Sequence, residues 1–440
     1  MKRSIGLFPK EDATNGWSRI LPPRQPKPAL KGDTRADWLV IGAGFAGLSA
    51  ARRLAENRPN DRILLLDAHE VGEGASGRNS GFGIDLPHNV GGDFAELSGS
   101  RRYMRLSRAA IASLDGLVRT HKIACGWSQP GKYHACSGPK GRALVLEPFA
   151  KELAALGEPF RWVEREALAR EIGTPFFHSA LHTPGCVLVN PAALVRGLAD
   201  TMPANVTLHE RTPVTAFDNG TTFRAETPGG SVEAKGAILA VNGWAKSFGF
   251  FTRHLMTLCA YASLTRPLSD AEHAALGGIA DWGLTPANAF AGVTMRYTKD
   301  RRILVRQHFV YAPRLERPAD EYGRIRAEHQ RIFRARFPML DAVTIEHTWR
   351  GFVCLSRNQA PGFGRLAPNL YAAVCQNAVG VTKGTIGGLL AADLACGVDN
   401  PMITDMEALG TPSPLPPRPF LDLGIRARFA AELWRWRSER

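Results

Sequence analysis

The order of apolar and polar positions near the start of the chain predicts a strand, a turn, a helix and a second strand. Residues 38–41, after Asp37, form an apolar run that leads directly into the pattern G-x-G-x-x-G at 42–47, and residues 48–54 continue as the opening of a helix. A second apolar run, 63–66, ends on Asp67, which lies 20 residues beyond the last glycine. This succession predicts the start of a Rossmann-like α/β fold.

The glycines of this pattern suit a dinucleotide site for three physical reasons. Gly42 permits the tight turn, Gly44 lets the backbone approach a pyrophosphate, and Gly47 lets the helix pack closely on the sheet. The pyrophosphate would lie at the helix N-terminus, where N–H groups are unpaired, and Asp67 would accept hydrogen bonds from the adenosine ribose. A glycine-rich turn without a ligand would not need the flanking strand, helix and acid. The predicted site also includes Phe45, Ala46 and Ala68.

A second glycine- and serine-rich segment follows Asp67, over residues 68–82. An NAD-binding domain would normally continue here through short βα units. Ser76, Arg78 and Asn79 offer donors to phosphate and ribityl oxygens, and the glycines permit another close approach of backbone to ligand. Taken alone, the segment is equally consistent with a flexible surface loop. The cofactor-binding residues predicted in it are Ala75, Ser76, Arg78, Asn79, Ser80, Gly81 and Phe82.

Together, the two segments resemble the FAD-binding signature of the D-amino-acid-oxidase-like (DAO) family, and the run A-S-G-R-N-x-G is most similar to its γ-glutamylputrescine oxidase branch. Further segments resemble those of the family in the same order along the chain. Residues 210–214 are similar to the strand that reaches the adenine, and residues 237–244 to the strand and turn that close the nucleotide fold. The resemblance implies FAD as the cofactor, with Val214 and Gly243 in its site.

The resemblance also implies an architecture. It is an α/β flavoprotein in which a Rossmann-like FAD-binding domain is interleaved with a substrate domain built on a mixed or antiparallel sheet. The substrate site would lie at the domain boundary, above the flavin ring. The expected ranges are 1–35 for an N-terminal arm, 36–110, 170–245 and 345–400 for the FAD-binding domain, 111–169 and 246–344 for the substrate domain, and 401–440 for a basic amphipathic tail.

Flavin chemistry requires a positive or hydrogen-bond-donating group at the N1–C2=O edge, where negative charge develops in the reduced ring. The segment 377–385 is the candidate, because Gly380 and Gly384 let backbone N–H groups reach the ring and a helix begins near Thr385. Lys383 adds charge there and is the predicted catalytic residue. Alternatively, it is a solvated lysine at a helix start. By resemblance, the cofactor site also includes Val381 and Thr382.

Cys354 has two interpretations. It falls near the position where sarcosine oxidases of this superfamily carry a cysteine bonded covalently to the flavin. Its neighbours differ from the sarcosine oxidase pattern, and the γ-glutamylputrescine oxidase branch binds FAD without a covalent bond. Since free cysteine packs like a small hydrophobe, an apolar role in a strand is the alternative.

The substrate class stays open at this level. Glycine-oxidase-like relatives place an arginine two residues after the glycine of W-x-G to hold a substrate carboxylate, and Val353 stands there in this chain. Residues 295–304 resemble a hairpin of the family that would border the substrate. An acid could instead meet side chains in or beside this hairpin, although each of these is otherwise an ordinary exposed strand residue. The candidates are Arg296, Tyr297, Arg306 and His308.

The leading hypothesis is FAD-dependent oxidation of the C–N bond of a small amine, amine conjugate or amino acid, which gives an imine by hydride transfer to flavin. O2 or a quinone would then accept the electrons. One alternative is a membrane-surface dehydrogenase that passes electrons to a quinone through the basic tail. Another is a flavin-binding sensor or partner protein without turnover.

Composition refines this interpretation in three ways. The net charge of +14 comes from dispersed basic residues without a nucleic-acid motif, so nucleic acid is not an expected partner. The seven cysteines are scattered and predict neither a disulfide framework nor a metal site. No apolar run suggests a signal peptide or a membrane span. Together these two observations favour a cytoplasmic location. The tail is expected either to dock on the body by its apolar face or to lie on an anionic membrane. Its apolar residues at helical spacing are Ile425, Phe429, Leu433 and Trp436.

Overall fold

A computed structural model describes residues 2–10, 12–87 and 97–440. The expected N-terminal arm and the first FAD-binding range, 36–110, extend over positions 1, 11 and 88–96, which lie outside the described residues. The strands are β1 (Arg3–Ser4), β2 (Thr34–Ile41), β3 (Ile63–Leu66), β4 (Phe82–Gly83), β5 (Lys132–Cys136), β6 (Arg161–Glu164), β7 (Ser179–Thr183), β8 (Val187–Leu188), β9 (Val206–His209), β10 (Ala216–Asn219), β11 (Phe223–Thr227), β12 (Gly230–Leu239), β13 (Leu255–Thr265), β14 (Trp282–Pro286), β15 (Thr294–Tyr297), β16 (Ile303–Tyr311), β17 (Ile345–Ser356), β18 (Gly362–Ala367) and β19 (Leu370–Val374). The helices are α1 (Gly16–Arg19), α2 (Phe45–Asn57), α3 (Ala75–Arg78), α4 (Leu97–Thr120), α5 (Pro139–Gly141), α6 (Glu147–Leu156), α7 (Arg165–Ile172), α8 (Pro191–Asp200), α9 (Asp270–Ala275), α10 (Glu321–Arg336), α11 (Gly380–Cys396), α12 (Pro401–Glu407) and α13 (Phe420–Arg435).

The first sheet has nine strands within these ranges, and its centre is parallel. β12, β2, β3 and β9 lie side by side, so that Val40 has Ile238 on one side and Leu65 on the other. All four residues of β3 are apolar and buried, as is usual for a parallel strand covered on both faces. The helices α2 and α11 pack against each other beside this sheet. The strand–turn–helix–strand order predicted from the sequence is therefore confirmed.

The second sheet has eight strands in the described part of the chain, in the order β17, β13, β16, β15, β14, β5, β7, β6. Its pairs are antiparallel except for β14 and β5, so it is a mixed sheet. β13 runs between β17 and β16, and Ala262 on β13 lies between Trp349 and Arg306 on its neighbours. Helix α10 packs on β13, β16 and β17. A parallel α/β layer joined to a mixed sheet confirms the predicted fold class.

The two sheets draw on alternating stretches of the chain. β5, β6 and β7 belong to the second sheet, and the chain returns to the first sheet with β9. The strand Ser179–Thr183 therefore pairs in the mixed sheet, although it falls inside the range 170–245 that the sequence assigns to FAD binding. The exact division into domains stays a prediction.

The C-terminal helix α13 docks on the second sheet by one face. The Phe429 ring lies 5.0 Å from that of Phe290, and the Tyr311 hydroxyl donates to Asp422 at 2.7 Å. Trp436, beyond the helix, is also buried. The other face keeps large apolar side chains in solvent, and these are Phe420, Leu423 and Trp434.

No single helix among the described residues is both long enough and apolar enough to span a membrane. The helices α11 and α12 meet those two criteria only when taken together, and they are bent by 116° relative to each other.

Candidate functional site

A large cavity opens where the parallel strands β2, β3 and β12 end. It contains about 1800 Å³ of space outside protein atoms, including its opening to solvent. Ligands of open α/β sheets bind at this edge of the strands. The predicted cofactor residues that line it are Gly42, Gly44, Phe45, Ala46, Asp67, Ala68, Ala75, Ser76, Arg78, Asn79, Val214, Gly243, Gly380 and Gly384.

The glycine turn shows why side chains are excluded here. Gly42 has φ of +101°, and a Cβ on it would lie 2.8 Å from the carbonyl oxygen of Ala240. A Cβ on Gly47 would lie 1.6 Å from the carbonyl oxygen of Gly42, so this glycine lets the helix pack against the turn. At Gly44, the obstacle would be the Ser76 hydroxyl oxygen, at 2.6 Å. The predicted reasons for Gly42 and Gly47 thus match their surroundings.

Asp67 presents a carboxylate beside this turn. One oxygen accepts a hydrogen bond from the Ala43 N–H at 2.6 Å, and the other accepts from the His69 N–H at 2.9 Å. Burial raises the pKa of Asp67 above its usual value, against the opposing effect of these two hydrogen bonds. No lysine or arginine among the described residues forms an ion pair with it. The backbone bonds fix the orientation of the carboxylate and leave lone pairs for a ligand hydroxyl.

Arg78 lines the cavity, but its donors are already engaged by protein groups. Its Nε donates to the Glu73 carbonyl oxygen at 2.7 Å, and one terminal nitrogen lies 2.8 Å from an Asp12 oxygen. The other terminal nitrogen donates to the Arg350 carbonyl oxygen at 3.2 Å. Asn79 is similarly engaged, since its amide donates to the Ser76 carbonyl oxygen at 2.7 Å. These two side chains therefore hold the loop in shape rather than offering free donors.

The N-terminal arm contributes residues that the sequence reasoning missed. Asp12 pairs with Arg78 and also with Arg350, at 3.3 Å. Burial acts to raise the pKa of Asp12, but the charge of Arg78 and the hydroxyls of Tyr322 and Thr14 hold it below its usual value. No local motif signals this contact, because the partners lie far away in the chain. The arm residues that line the large cavity are Ile5, Leu7, Phe8, Pro9, Lys10 and Asp12.

Glu210 is a further missed residue, and it supports the loop after Asp67. It is fully buried, and Arg24 donates to both of its oxygens, at 2.7 and 2.8 Å. The Val71 N–H donates to the same carboxylate at 2.6 Å. A buried carboxylate satisfied in this way joins the arm to the cavity wall.

A second cavity adjoins the large one and contains about 900 Å³, again including open space. Of the predicted cofactor residues, Ser80, Phe82 and Val381 line this cavity and not the large one. The residues shared by both cavities are Ala75, Arg78, Asn79, Gly351, Phe352, Val353, Ala378 and Gly380.

The four side chains considered as binders of an acid lie in different environments. Arg306 lines the second cavity. Arg296 is buried, where it donates to the carbonyl oxygens of Gly81 and Val189 and so has a structural role. The Tyr297 hydroxyl lies 2.7 Å from a ring nitrogen of His273, and His308 lies 3.6 Å from Glu328. The expectation that Arg296 and Tyr297 are exposed is wrong, because β15 lies inside the second sheet.

Lys383 points into a third, smaller cavity. Its ammonium lies 4.7 Å from the centre of the Tyr103 ring, and burial lowers its pKa to about 8. Lys383 is therefore neither a solvated lysine at a helix start nor a residue that lines the large cavity. The hydroxyls of Thr382 and Thr385 are likewise turned away, since they donate to the carbonyl oxygens of Ile84 and Val381. Predicted residues that line neither of the two larger cavities are Gly47, Gly81, Thr382, Lys383 and Thr385.

Cys354 lines the large cavity and is almost fully buried. A Cβ on Gly243 would lie 3.3 Å from its Cβ, so the two residues form one piece of the wall. A hydrogen bond with Cys375, together with burial, raises the pKa of the Cys354 thiol well above its usual value. The thiol is therefore neutral at physiological pH, which disfavours the thiolate that a covalent bond would require.

Comparison with known proteins identifies the family. Residues 37–394 match the family described as DAO, FAD dependent oxidoreductase. Probable oxidoreductase OrdL of Rhizobium meliloti (strain 1021) is 27% identical over 87% of this chain and 88% of its own length. Gamma-glutamylputrescine oxidoreductase of Escherichia coli (strain K12) is 26% identical over 90% of each chain. A crystal structure of glycine oxidase from Geobacillus kaustophilus superposes with a TM-score of 0.69 at 17% identity, over 83% of this chain and 96% of that one.

The family match begins in β2, includes the glycine turn and Asp67, and ends in α11 beyond Gly384. It therefore covers the second sheet, the first sheet except β1 and the start of β2, and most of the walls of the two larger cavities. The resemblance seen in the sequence is confirmed. This chain is a member of the DAO family of FAD-dependent oxidoreductases, and FAD is its cofactor.

Proposed function

We propose that this protein oxidises the C–N bond of a small amine, amine conjugate or amino acid, with FAD in the large cavity and the substrate in the second cavity. The observation that supports this most directly is that the two cavities share one wall. Gly351, Val353 and Gly380 line both of them, so a ring at the end of the large cavity would face the second one. Adjacent sites for an electron acceptor and a small molecule suit direct transfer between them.

The residues of the large cavity fit FAD. Asp67 offers fixed acceptors for ribose hydroxyls, and Gly44 leaves the start of α2 open to a pyrophosphate. Gly380 and Gly384 bring the start of α11 to the other end of the same cavity. We assign the adenosine half to the wall with Asp67 and the flavin to the wall with Gly243, Gly380 and Gly384. When bound, FAD accepts a hydride from the carbon that bears the amine, and the resulting imine is hydrolysed by water.

The second cavity has walls that favour this reaction. Arg306 lines it, and the buried ammonium of Lys132 donates to the Thr285 hydroxyl, itself on the wall, at 3.3 Å. Arg306 therefore offers a charged hydrogen-bond donor to a bound substrate. Phe309 and Phe352 provide apolar surface that limits access of water.

An absorption spectrum of the purified protein, followed by acid precipitation, tests the cofactor assignment. We expect FAD in the supernatant, because Cys354 is a neutral thiol. Anaerobic addition of a panel of amines and amino acids then tests the reaction, with bleaching of the visible flavin bands as the signal. A flavin in the precipitate would indicate a covalent bond and contradict the role given to Cys354. Bound FAD that no compound bleaches would support a sensor without turnover.

A second candidate keeps the same chemistry but sends the electrons to a quinone at a membrane surface. The tail supports it, since Phe420, Leu423 and Trp434 are exposed close to Arg426 and Arg437. The discriminating measurement is the rate at which the reduced enzyme is reoxidised by air, compared with a soluble quinone in the presence of anionic vesicles. Rapid reoxidation by air favours an oxidase. The cytoplasmic location stays a prediction in either case.

A further inference from the structure

Arg306 is a cation on the wall of the second cavity without a carboxylate partner among the described residues. One terminal nitrogen donates to the Ala289 carbonyl oxygen at 3.3 Å, and the other donates to the Thr294 hydroxyl. Its guanidinium lies 4.8 Å from the centre of the Phe309 ring. Burial lowers the pKa of Arg306 to about 10. A desolvated cation that meets only neutral groups gains from a bound anion.

The guanidinium lies away from the wall that the two cavities share. Gly351 belongs to β17, and β13 separates that strand from β16, which carries Arg306. Neighbouring strands are about 4.8 Å apart, so the two backbones are separated by roughly 10 Å. Thr294 lies on β15 and Ala289 follows β14, both on the side of β16 opposite to β17. The hydrogen bonds of Arg306 thus draw its charge toward the far end of the second cavity.

Lys132 lies close to the same end of the cavity, and burial lowers the pKa of its side chain below the usual value. It is buried, and it reaches the cavity through the Thr285 hydroxyl, at 3.3 Å. Thr285 on β14 neighbours Thr294 on β15, because Leu284 pairs with Met295 in the antiparallel register. No carboxylate in the described ranges forms an ion pair with Lys132. Arg306 on β16 and Lys132 on β5 therefore approach this end through Thr294 and Thr285, which lie on the adjoining strands β15 and β14.

We propose that the substrate carries an anionic group, of the carboxylate class, which Arg306 binds at the end of the second cavity remote from the flavin. The inference rests on the proposed oxidation of an amine and narrows its substrate. The anion is separated from the oxidised C–N bond by several bonds, so it is not the α-carboxylate of a simple amino acid. Diamines are poor substrates, because their second ammonium would meet Arg306. Arg306 is a specificity-determining residue and does not take part in the bond changes.

The kinetic test uses four amines of one chain length with the FAD-loaded enzyme. They are 6-aminohexanoate, hexylamine, 1,6-diaminohexane and norleucine. We expect kcat/KM to be highest for 6-aminohexanoate and at least 10-fold lower for each of the others. The reason is that only 6-aminohexanoate has a distal carboxylate that can form a charge-assisted hydrogen bond with Arg306. Equal values for 6-aminohexanoate and hexylamine, or a preference for norleucine that depends on Arg306, would overturn the proposal.

Variants separate the role of the charge from a general loss of structure. Arg306→Gln should raise KM for 6-aminohexanoate by about 10- to 100-fold and leave kcat within about threefold, because the anion is held equally before and during the reaction. Arg306→Lys should recover part of the loss. Arg302→Gln is the matched control, since Arg302 lies beside the same strand and pairs with Asp300 at 3.2 Å without lining the cavity. An unchanged KM in Arg306→Gln would overturn the assignment.

A binding measurement distinguishes failure of this inference from failure of the proposed function. Calorimetric titration of the wild-type holoenzyme with glutarate and with its neutral analogue glutaramide requires no turnover. We expect glutarate to bind at least 10-fold more tightly, and Arg306→Gln to remove the difference. If glutarate shows this preference while no amine is oxidised, the anion site stands and the proposed reaction fails. If glutarate binds no better than glutaramide, the proposed anion site is wrong. This comparison uses only the wild-type protein, so it remains valid even if Arg306→Gln does not fold.

Discussion

Gly44 offers a sharp test of the cofactor site, because one added methyl group has two separable effects. In Gly44→Ala, the new Cβ would lie 2.6 Å from the Ser76 hydroxyl oxygen, whereas ordinary contacts begin at 3.4 Å. Ser76 must then rotate and give up the hydrogen bond that it accepts from the Phe45 N–H at 3.0 Å. The loss of one such bond destabilises the apoprotein by about 1 kcal/mol.

The second effect concerns FAD itself. The methyl group would stand where the backbone must approach the pyrophosphate, at the N-terminus of α2. Losing charge-assisted hydrogen bonds there costs about 1.5–3 kcal/mol, which corresponds to FAD binding that is about 10- to 150-fold weaker. Quenching of FAD fluorescence during titration of the apoprotein measures the affinity, and thermal unfolding of the apoprotein measures the stability.

Ser76→Ala separates the two effects. The new Cβ of Gly44→Ala lies 3.5 Å from the Ser76 Cβ, so the double variant has no clash within the protein. We expect Gly44→Ala to add no further loss of stability in the Ser76→Ala background, while FAD binding stays weak. Recovery of FAD affinity in the double variant would refute the reasoning, since Gly44 would then serve only to accommodate Ser76.

Other predictions address the arm, the third cavity and the thiol. Asp12→Asn should lower stability at neutral pH by about 1–3 kcal/mol, measured by urea unfolding, through loss of the ion pair with Arg78. Because the pKa of Asp12 is held low in the folded protein, this contribution is present above about pH 4 and is lost as the pH falls through the folded-state value; a variant with the same acid sensitivity as wild type would contradict it. Lys383→Met should leave flavin reduction within about threefold and flatten the pH dependence of thermal stability. With a folded pKa of about 8, the native state sheds the Lys383 proton before the unfolded chain does, so wild-type stability rises between about pH 8 and 10; a large loss of flavin reduction would restore Lys383 as the catalytic residue. Cys354→Ala should keep FAD bound and release it on acid precipitation as wild type does, and loss of flavin from this variant alone would point to a covalent bond.

The sequence predicts the part of the site that depends on residues close together in the chain. The turn at Gly42 and Gly44 and the acid Asp67 are set by spacing, because a strand of known length carries them to one edge of the sheet. The sequence predicts a helix that begins near Thr385, whereas α11 begins five residues earlier, at Gly380. For Gly42, Gly44 and Asp67, the position predicted from the sequence pattern agrees with the position in the fold.

Other residues could not be predicted because their environment is built by distant segments. Arg78 looked like a free donor, but Asp12 and Glu73 take up its nitrogens. Lys383 has the right position along the chain, yet its side chain runs to Tyr103 on α4. From the sequence, Arg306 and Arg296 are equivalent candidates. Only the pairing of β15 and β16 distinguishes Arg306, which lines the second cavity, from Arg296, which has a structural role.

The arm has a consequence for how the holoenzyme is assembled. β1 pairs with β10, and Asp12 pairs with Arg350. The arm is synthesised first, so it can form these contacts only after much later residues have left the ribosome. Once seated, the arm forms part of the wall around the cavity. The arm therefore covers part of the cavity in which we place FAD. We expect a shortened arm to speed the dissociation of FAD, because the wall that the arm supplies would be lost.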